Sequence, residues 1–135
     1  MINRSTSFRP EIWEQAITET IRTSLFFGHG NAAQASLAVE NHVFPHPHSI
    51  FVSTFYYSGI VGLLSLIAML TATLVSLYKL ESSALRTVAV SVTIVGVAGL
   101  IFDGDKPVEK INFLWISLWL PVSLAITATN KELTI

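Results

Sequence analysis

The side chain in this sequence best suited to chemistry is the imidazole of His48. It opens the pattern His48-Ser49, nine residues, Gly59, two residues, Gly62 in HSIFVSTFYYSGIVGLL. A histidine with an ordinary pKa of about 6.5 exchanges protons near neutral pH, and this one stands at the mouth of a long apolar run. No Asp, Glu, Lys or Arg occurs between Glu40 and Lys79. The back half of that run is long enough to cross a bilayer, since a helix needs about 20 residues to traverse roughly 30 Å of hydrocarbon. Phe55, Tyr56 and Tyr57 would mark one interface and Tyr78 with Lys79 the other. A helix beginning near His48 sets the imidazole roughly 12 Å above the aromatic band, in water or headgroups. His48, Val52, Phe55, Gly59 and Gly62 then share one helical face, with both glycines beneath the histidine, where small residues let another backbone approach closely. An ordinary interface histidine over a packing face is the bland alternative.

His42, His46 and His48, with His29 upstream, also invite a metal reading because imidazole is a common zinc ligand. The spacing His-x3-His-x-His is not a zinc signature, and prolines flank His46, so no metal site and no cofactor is expected. Asp103, Asp105 and Glu109 cluster further on, where a solvated loop is the simpler explanation. The chain has no cysteine, which excludes disulfides and cysteine-ligated metals and is compatible with an oxidising compartment without requiring one.

The elements that must position these groups are helical and mostly apolar. Hydrophobic residues make up 51% and charged residues 13% of the chain, with mean hydropathy +0.58, against about 25% charged in soluble domains. Three spans are expected at about 55–78, 84–102 and 111–128, each near the length a crossing needs. Within the last, Trp115 and Trp119 suit an interface anchor, and Pro121 removes one helix donor. Residues 1–48 form a polar extramembrane segment, and 49–135 the membrane region. In the first segment Pro10 suits a first turn. Ile12, Trp13, Ala16, Ile17, Thr20, Ile21 and Leu25 make an apolar stripe, predicting an amphipathic helix over about 9–24 that ends near Gly28-His29-Gly30. The stretch between that turn and His48 reads as a loop holding at most one short helical turn, since Pro45 and Pro47 disfavour helix before them. The fold class is therefore an all-α membrane protein: an amphipathic helix and loop followed by three transmembrane helices.

Net charge is -1 and no basic stripe exists, which argues against a nucleic-acid partner. No signal peptide is recognisable at the N-terminus. The positive-inside count gives Arg4, Arg9, Arg22, Lys106 and Lys110 on the His48 side against Lys79, Arg86 and Lys131 on the other, mildly favouring a cytoplasmic His48.

Several motifs in order resemble the C-terminal part of the O-antigen ligase and polymerase family of bacterial membrane proteins. They are Arg9 with Trp13 in RPEIW, then Phe27-Gly28-His29-Gly30, then Pro47-His48-Ser49 with Gly59 and Gly62, and the closing segment FDGDKPVEKINFLWISLWLP. The resemblance implies a multi-span glycan transferase of the inner membrane that moves a glycan from an undecaprenyl diphosphate carrier to a hydroxyl of the lipid A core, of a polysaccharide, or of a protein. It implies a periplasmic His48, preferred over the charge count, and no nucleotide sugar. His48 would be the catalytic base toward the acceptor hydroxyl, or would orient it. Arg9 would bind the diphosphate through its forked, permanently charged donors. Gly28, Gly30, Gly59 and Gly62 would be the structural motif, and Arg22 is a weaker candidate outside any motif.

Family members have ten or more spans, so the expectation is a fragment, a truncated reading frame or one piece of a split protein, inactive in isolation. The missing N-terminal spans would then be a partner, beside membrane lipids, the lipid-linked glycan and its acceptor. The competing expectations are a non-catalytic three-span subunit docking through Gly59 and Gly62, and a histidine-rich metal or proton handler.

Overall fold

A computed structural model describes residues 8–79, 84–102, 104, 106 and 113–132. Among these residues the chain forms four helices and one small hairpin: α1 (Arg9–Thr23), β1 (Leu37–Val39), β2 (His42–Phe44), α2 (Ile50–Lys79), α3 (Ala84–Phe102) and α4 (Phe113–Glu132). The molecule is mostly helical, as the apolar periodicity predicts. Among the described residues only α2 is long and apolar enough to count as a candidate membrane span, and the apolar stretches Arg86–Phe102 and Leu118–Thr127 of α3 and α4 are shorter.

α1 starts with Pro10 in its first turn, where a missing amide costs nothing. Its buried Ile12 and Ala16 join Leu37, Val39, Ala35, Tyr56 and Tyr57 in one apolar cluster, and buried Thr20 donates its hydroxyl back to the Ala16 carbonyl at 2.8 Å. Of the rest of the predicted stripe, Trp13 packs against this cluster, and Ile17, Ile21 and Leu25 are exposed.

The segment before His48 corrects the all-α expectation. In place of a loop with a helical turn it forms an antiparallel hairpin with Leu37 opposite Phe44, Ala38 opposite Val43 and Val39 opposite His42. LAVE is as acceptable in a helix as in a strand by intrinsic preference. Packing decides, because the strand alternation buries Leu37 and Val39 against α1 while Ala38 faces out. Glu40, at φ 53, carries the two-residue turn.

The second correction concerns α2. It begins at Ile50, not at His48, and it is not one straight helix: Gly59 has φ 64 and ψ -162, a combination essentially reserved to glycine. His48 therefore does not stand a helix length above the aromatic band on a face continuous with Gly59 and Gly62. Ile50 instead shares a buried cluster with Leu66, Leu70, Leu100 and Leu118. In a straight helix Leu66 would lie about 24 Å from Ile50. The break turns the first part of α2 over, onto the end of α3.

Burial changes at the same point. Ser53, Thr54, Phe55, Tyr56 and Tyr57 before the break are all buried, whereas Val61, Leu64, Ile67, Leu74, Val75 and Tyr78 beyond it are exposed. Lower down, α2, α3 and α4 pack together around Leu77, Ala89 and Ala125. Exposed Val88, Ile94, Val95, Ile116, Leu120 and Ile126 give the outside of this bundle an apolar surface. Trp119 packs on the Leu66 cluster, inside the bundle. The side chain of Trp115 lies outside the described residues.

Candidate functional site

The turn after α1 and the break in α2 are built for each other. Ser24 closes the turn: its Oγ donates to the Gly28 carbonyl at 2.5 Å, and its carbonyl accepts the Gly28 amide at 2.8 Å. Two bonds of a regular helix, from the Ile60 amide to the Tyr56 carbonyl and from the Val61 amide to the Tyr57 carbonyl, give way to four bonds with this turn. Tyr56 and Tyr57 carbonyls accept the His29 and Gly30 amides at 2.9 Å each. The Ile60 and Val61 amides donate to the Leu25 and Phe26 carbonyls at 2.9 and 3.3 Å. An unmade buried hydrogen bond costs about 1–3 kcal/mol per group, so the exchange removes what would otherwise be a prohibitive cost of breaking α2.

This contact has no room for side chains. A Cβ on Gly28, at φ +65, would lie 2.5 Å from the Ser58 amide nitrogen, and one on Gly59 would overlap the Phe26 backbone. Gly62 answers a different demand, since a Cβ there would collide with that of Ser58. Gly30 meets nothing within 4 Å and contributes through its amide. Gly28 and Gly30 of the Gly-x-Gly motif and Gly59 of the Gly-x-x-Gly motif thus form two halves of one backbone lock, with Gly62 outside it.

His48 lies on the bend between the hairpin and α2, with φ 56, a left-handed conformation that histidine adopts more readily than most residues. Pro47 before it is buried, and its carbonyl accepts the Trp13 indole N–H at 2.8 Å. The imidazole is half-buried. Its ring stands 3.9 Å from the centroid of His46 and 6.4 Å from that of Phe44, which in turn is 6.0 Å from Phe8. The Nδ1 of His46 is buried without a partner among the described residues.

Arg9 is exposed on the first turn of α1, next to Phe8 and one turn before Trp13. The ring series Phe8–Phe44–His48 and the Trp13–Pro47 bond therefore bring Arg9 and His48 to the same end of the molecule. A helix N-terminus adds partial positive charge there. Arg22 lies at the other end of α1. It lines an open groove of about 810 Å³ together with Glu11, Glu14, Glu19 and Glu40, whose acidity suits no anion.

Two contributions escaped the sequence. Gly104 is buried against the start of α2: a Cβ there would come 2.7 Å from the Ile50 amide, and its carbonyl accepts a long 3.5 Å bond from Ser53 Oγ. Lys106 donates to the Asn31 carbonyl at 2.7 Å and holds its ammonium 4.2 Å from the Tyr57 ring centroid. Within a loop dense in charge neither carried a distinguishing signal. Asp103, Asp105 and Glu109 lie outside the described residues.

Beyond the His46–His48 ring contact, the other two histidines pack on aromatic rings. His29 stacks on Tyr56 at 4.3 Å, beside the glycine lock, and His42 packs on Phe8 at 5.7 Å. Among the described residues no three His, Asp or Glu side chains converge as a metal would require.

Comparison with characterised proteins finds similarity to an O-antigen ligase of Pseudomonas aeruginosa, 27% identical over 122 residues. The match covers 90% of this chain and 30% of that protein, so the chain spans under a third of the length of the curated relative it matches. No family model matches, and no solved structure matches.

Proposed function

We propose that this chain is the histidine-bearing part of a bacterial inner-membrane glycan transferase that moves a glycan from undecaprenyl diphosphate to a hydroxyl of the lipid A core. The observation that carries this is the place of His48. The break at Gly59 folds the start of α2 over the end of α3, so the imidazole lies on a bend held by Trp13 and beside the apolar bundle. A lipid-linked donor presents its diphosphate at such a boundary. Similarity to an O-antigen ligase over 90% of the chain supports the same assignment. Broken helices at membrane depth occur where they line a site and where other groups satisfy the freed backbone, as the residue 25–30 turn does here.

In this scheme α2 beyond Gly59, α3 and α4 are the three membrane crossings, and the His48 side is periplasmic. His48 accepts the proton of the acceptor hydroxyl as its oxygen bonds to the anomeric carbon. The bond from that carbon to the diphosphate oxygen breaks, and the lipid diphosphate leaves. Arg9 stabilises the charge that grows on the leaving group. No metal or cofactor takes part. The other spans such a transferase needs come from sequence beyond this chain or from a partner chain.

The experiment is genetic. A His48→Ala change in the full-length protein should abolish O-antigen laddering of lipopolysaccharide while leaving the protein at normal level in the membrane. Altered capsule with intact ladders would redirect the acceptor to a polysaccharide. Unaltered ladders and capsule would favour a non-catalytic subunit.

A further inference from the structure

Residues 25–27 close the turn that locks α2, yet their side chains point away from the protein. Phe26 is 63% and Phe27 76% exposed, with Leu25 at 38% and Ile21, one turn back on α1, at 54%. Four neighbouring large apolar groups in water are costly, at roughly 25 cal/mol per Å². Two features of the fold say what covers them. The patch is continuous with the exposed apolar side of α2, because the Leu25 and Phe26 carbonyls are bonded to Ile60 and Val61, where that side begins. The length of α2 also fits. From Ile60 to Lys79 are about 20 residues, or ~30 Å of helix, the thickness of the hydrocarbon core. Tyr78, 74% exposed with the Arg86 guanidinium 5.6 Å from its ring, marks the far interface.

We propose that Ile21, Leu25, Phe26 and Phe27 form an in-plane lipid anchor that fixes one bilayer surface at the Gly59 break. The anchor rests on the reading of α2 as a membrane span. Phenylalanine rings enter the headgroup and upper acyl region. Because the turn is bonded to the break through four backbone bonds, seating the rings also sets the depth of the break. Catalysis at a lipid-borne diphosphate requires such a fixed depth.

The chain has no cysteine, so single labels can be placed cleanly. Full-chain variants Phe27→Cys, Ile67→Cys and Val43→Cys carry a nitroxide in phospholipid vesicles, and collision with oxygen is compared with collision with a water-soluble nickel chelate. All three positions are exposed, and Phe26→Cys serves as a second probe of the turn. Expected is an oxygen-to-nickel ratio highest at Ile67, lowest at Val43, and several-fold above Val43 at Phe27 and Phe26. If the turn labels match Val43 while Ile67 is in lipid, the anchor is overturned and the span stands. If Ile67 also matches Val43, both fall. Turn labels shielded from both reagents would mark a protein contact and overturn the lipid assignment.

Discussion

The carbonyl of Tyr56 accepts the His29 amide at 2.9 Å, where an unbroken helix would supply the amide of Ile60. One loop residue thus stands in for a helical one. With three companion bonds this substitution lets α2 change direction without leaving a polar backbone group bare at the edge of an apolar bundle. The His46-Pro47-His48 bend owes its position to that change of direction.

The lock predicts a steep cost for any side chain inside it. Gly28→Ala and Gly59→Ala each add a Cβ where a facing backbone already lies, and each forces a residue into a conformation glycine tolerates best. A loss of about 3 kcal/mol or more is expected for either. The double variant should lose less than the sum, because both open the same contact. Gly30→Ala, with open space around it, should lose only about 1–2 kcal/mol. Thermal unfolding in detergent, followed by circular dichroism, ranks the three.

Gly62 should behave differently from the lock glycines. The atom in its way is the Ser58 Cβ, so Gly62→Ala alone should destabilise and Ser58→Gly should restore part of the loss. A double-mutant cycle in the same unfolding assay measures the coupling, expected at about 1–3 kcal/mol. Additive effects would mean that Gly62 answers to some other neighbour.

Trp13→Phe keeps the ring and removes the indole N–H that holds the Pro47 carbonyl. Stability should fall by about 1 kcal/mol. If that bond positions His48, the transfer rate in the full-length protein should fall further than this small loss explains, with protein level unchanged.

Much of this was legible in the sequence, and the gaps have physical causes. The apolar stripe and Pro10 predict α1 to within one residue at its end, since local periodicity decides it. The spacing of Gly59 and Gly62 suits a continuous packing face equally well. Only the turn carrying Gly28, thirty-one residues earlier, shows that Gly59 is a break. The hairpin is invisible for the same reason: Leu37 and Val39 are strand residues because α1 and Tyr56 are there to cover them. Arg9 and His48 could be singled out by type and motif, but their placement at one end depends on Trp13 reaching Pro47, a contact across thirty-four residues.

Under the proposed function the His48 imidazole serves transfer and not merely the fold. The most direct measurement is transfer by the purified full-length protein, with an undecaprenyl diphosphate-linked glycan as donor and lipid A core as acceptor, comparing wild type with His48→Ala. Expected for His48→Ala is a rate lower by about 10²–10⁴ with an unchanged unfolding midpoint. Transfer at the wild-type rate by a folded His48→Ala protein would contradict it.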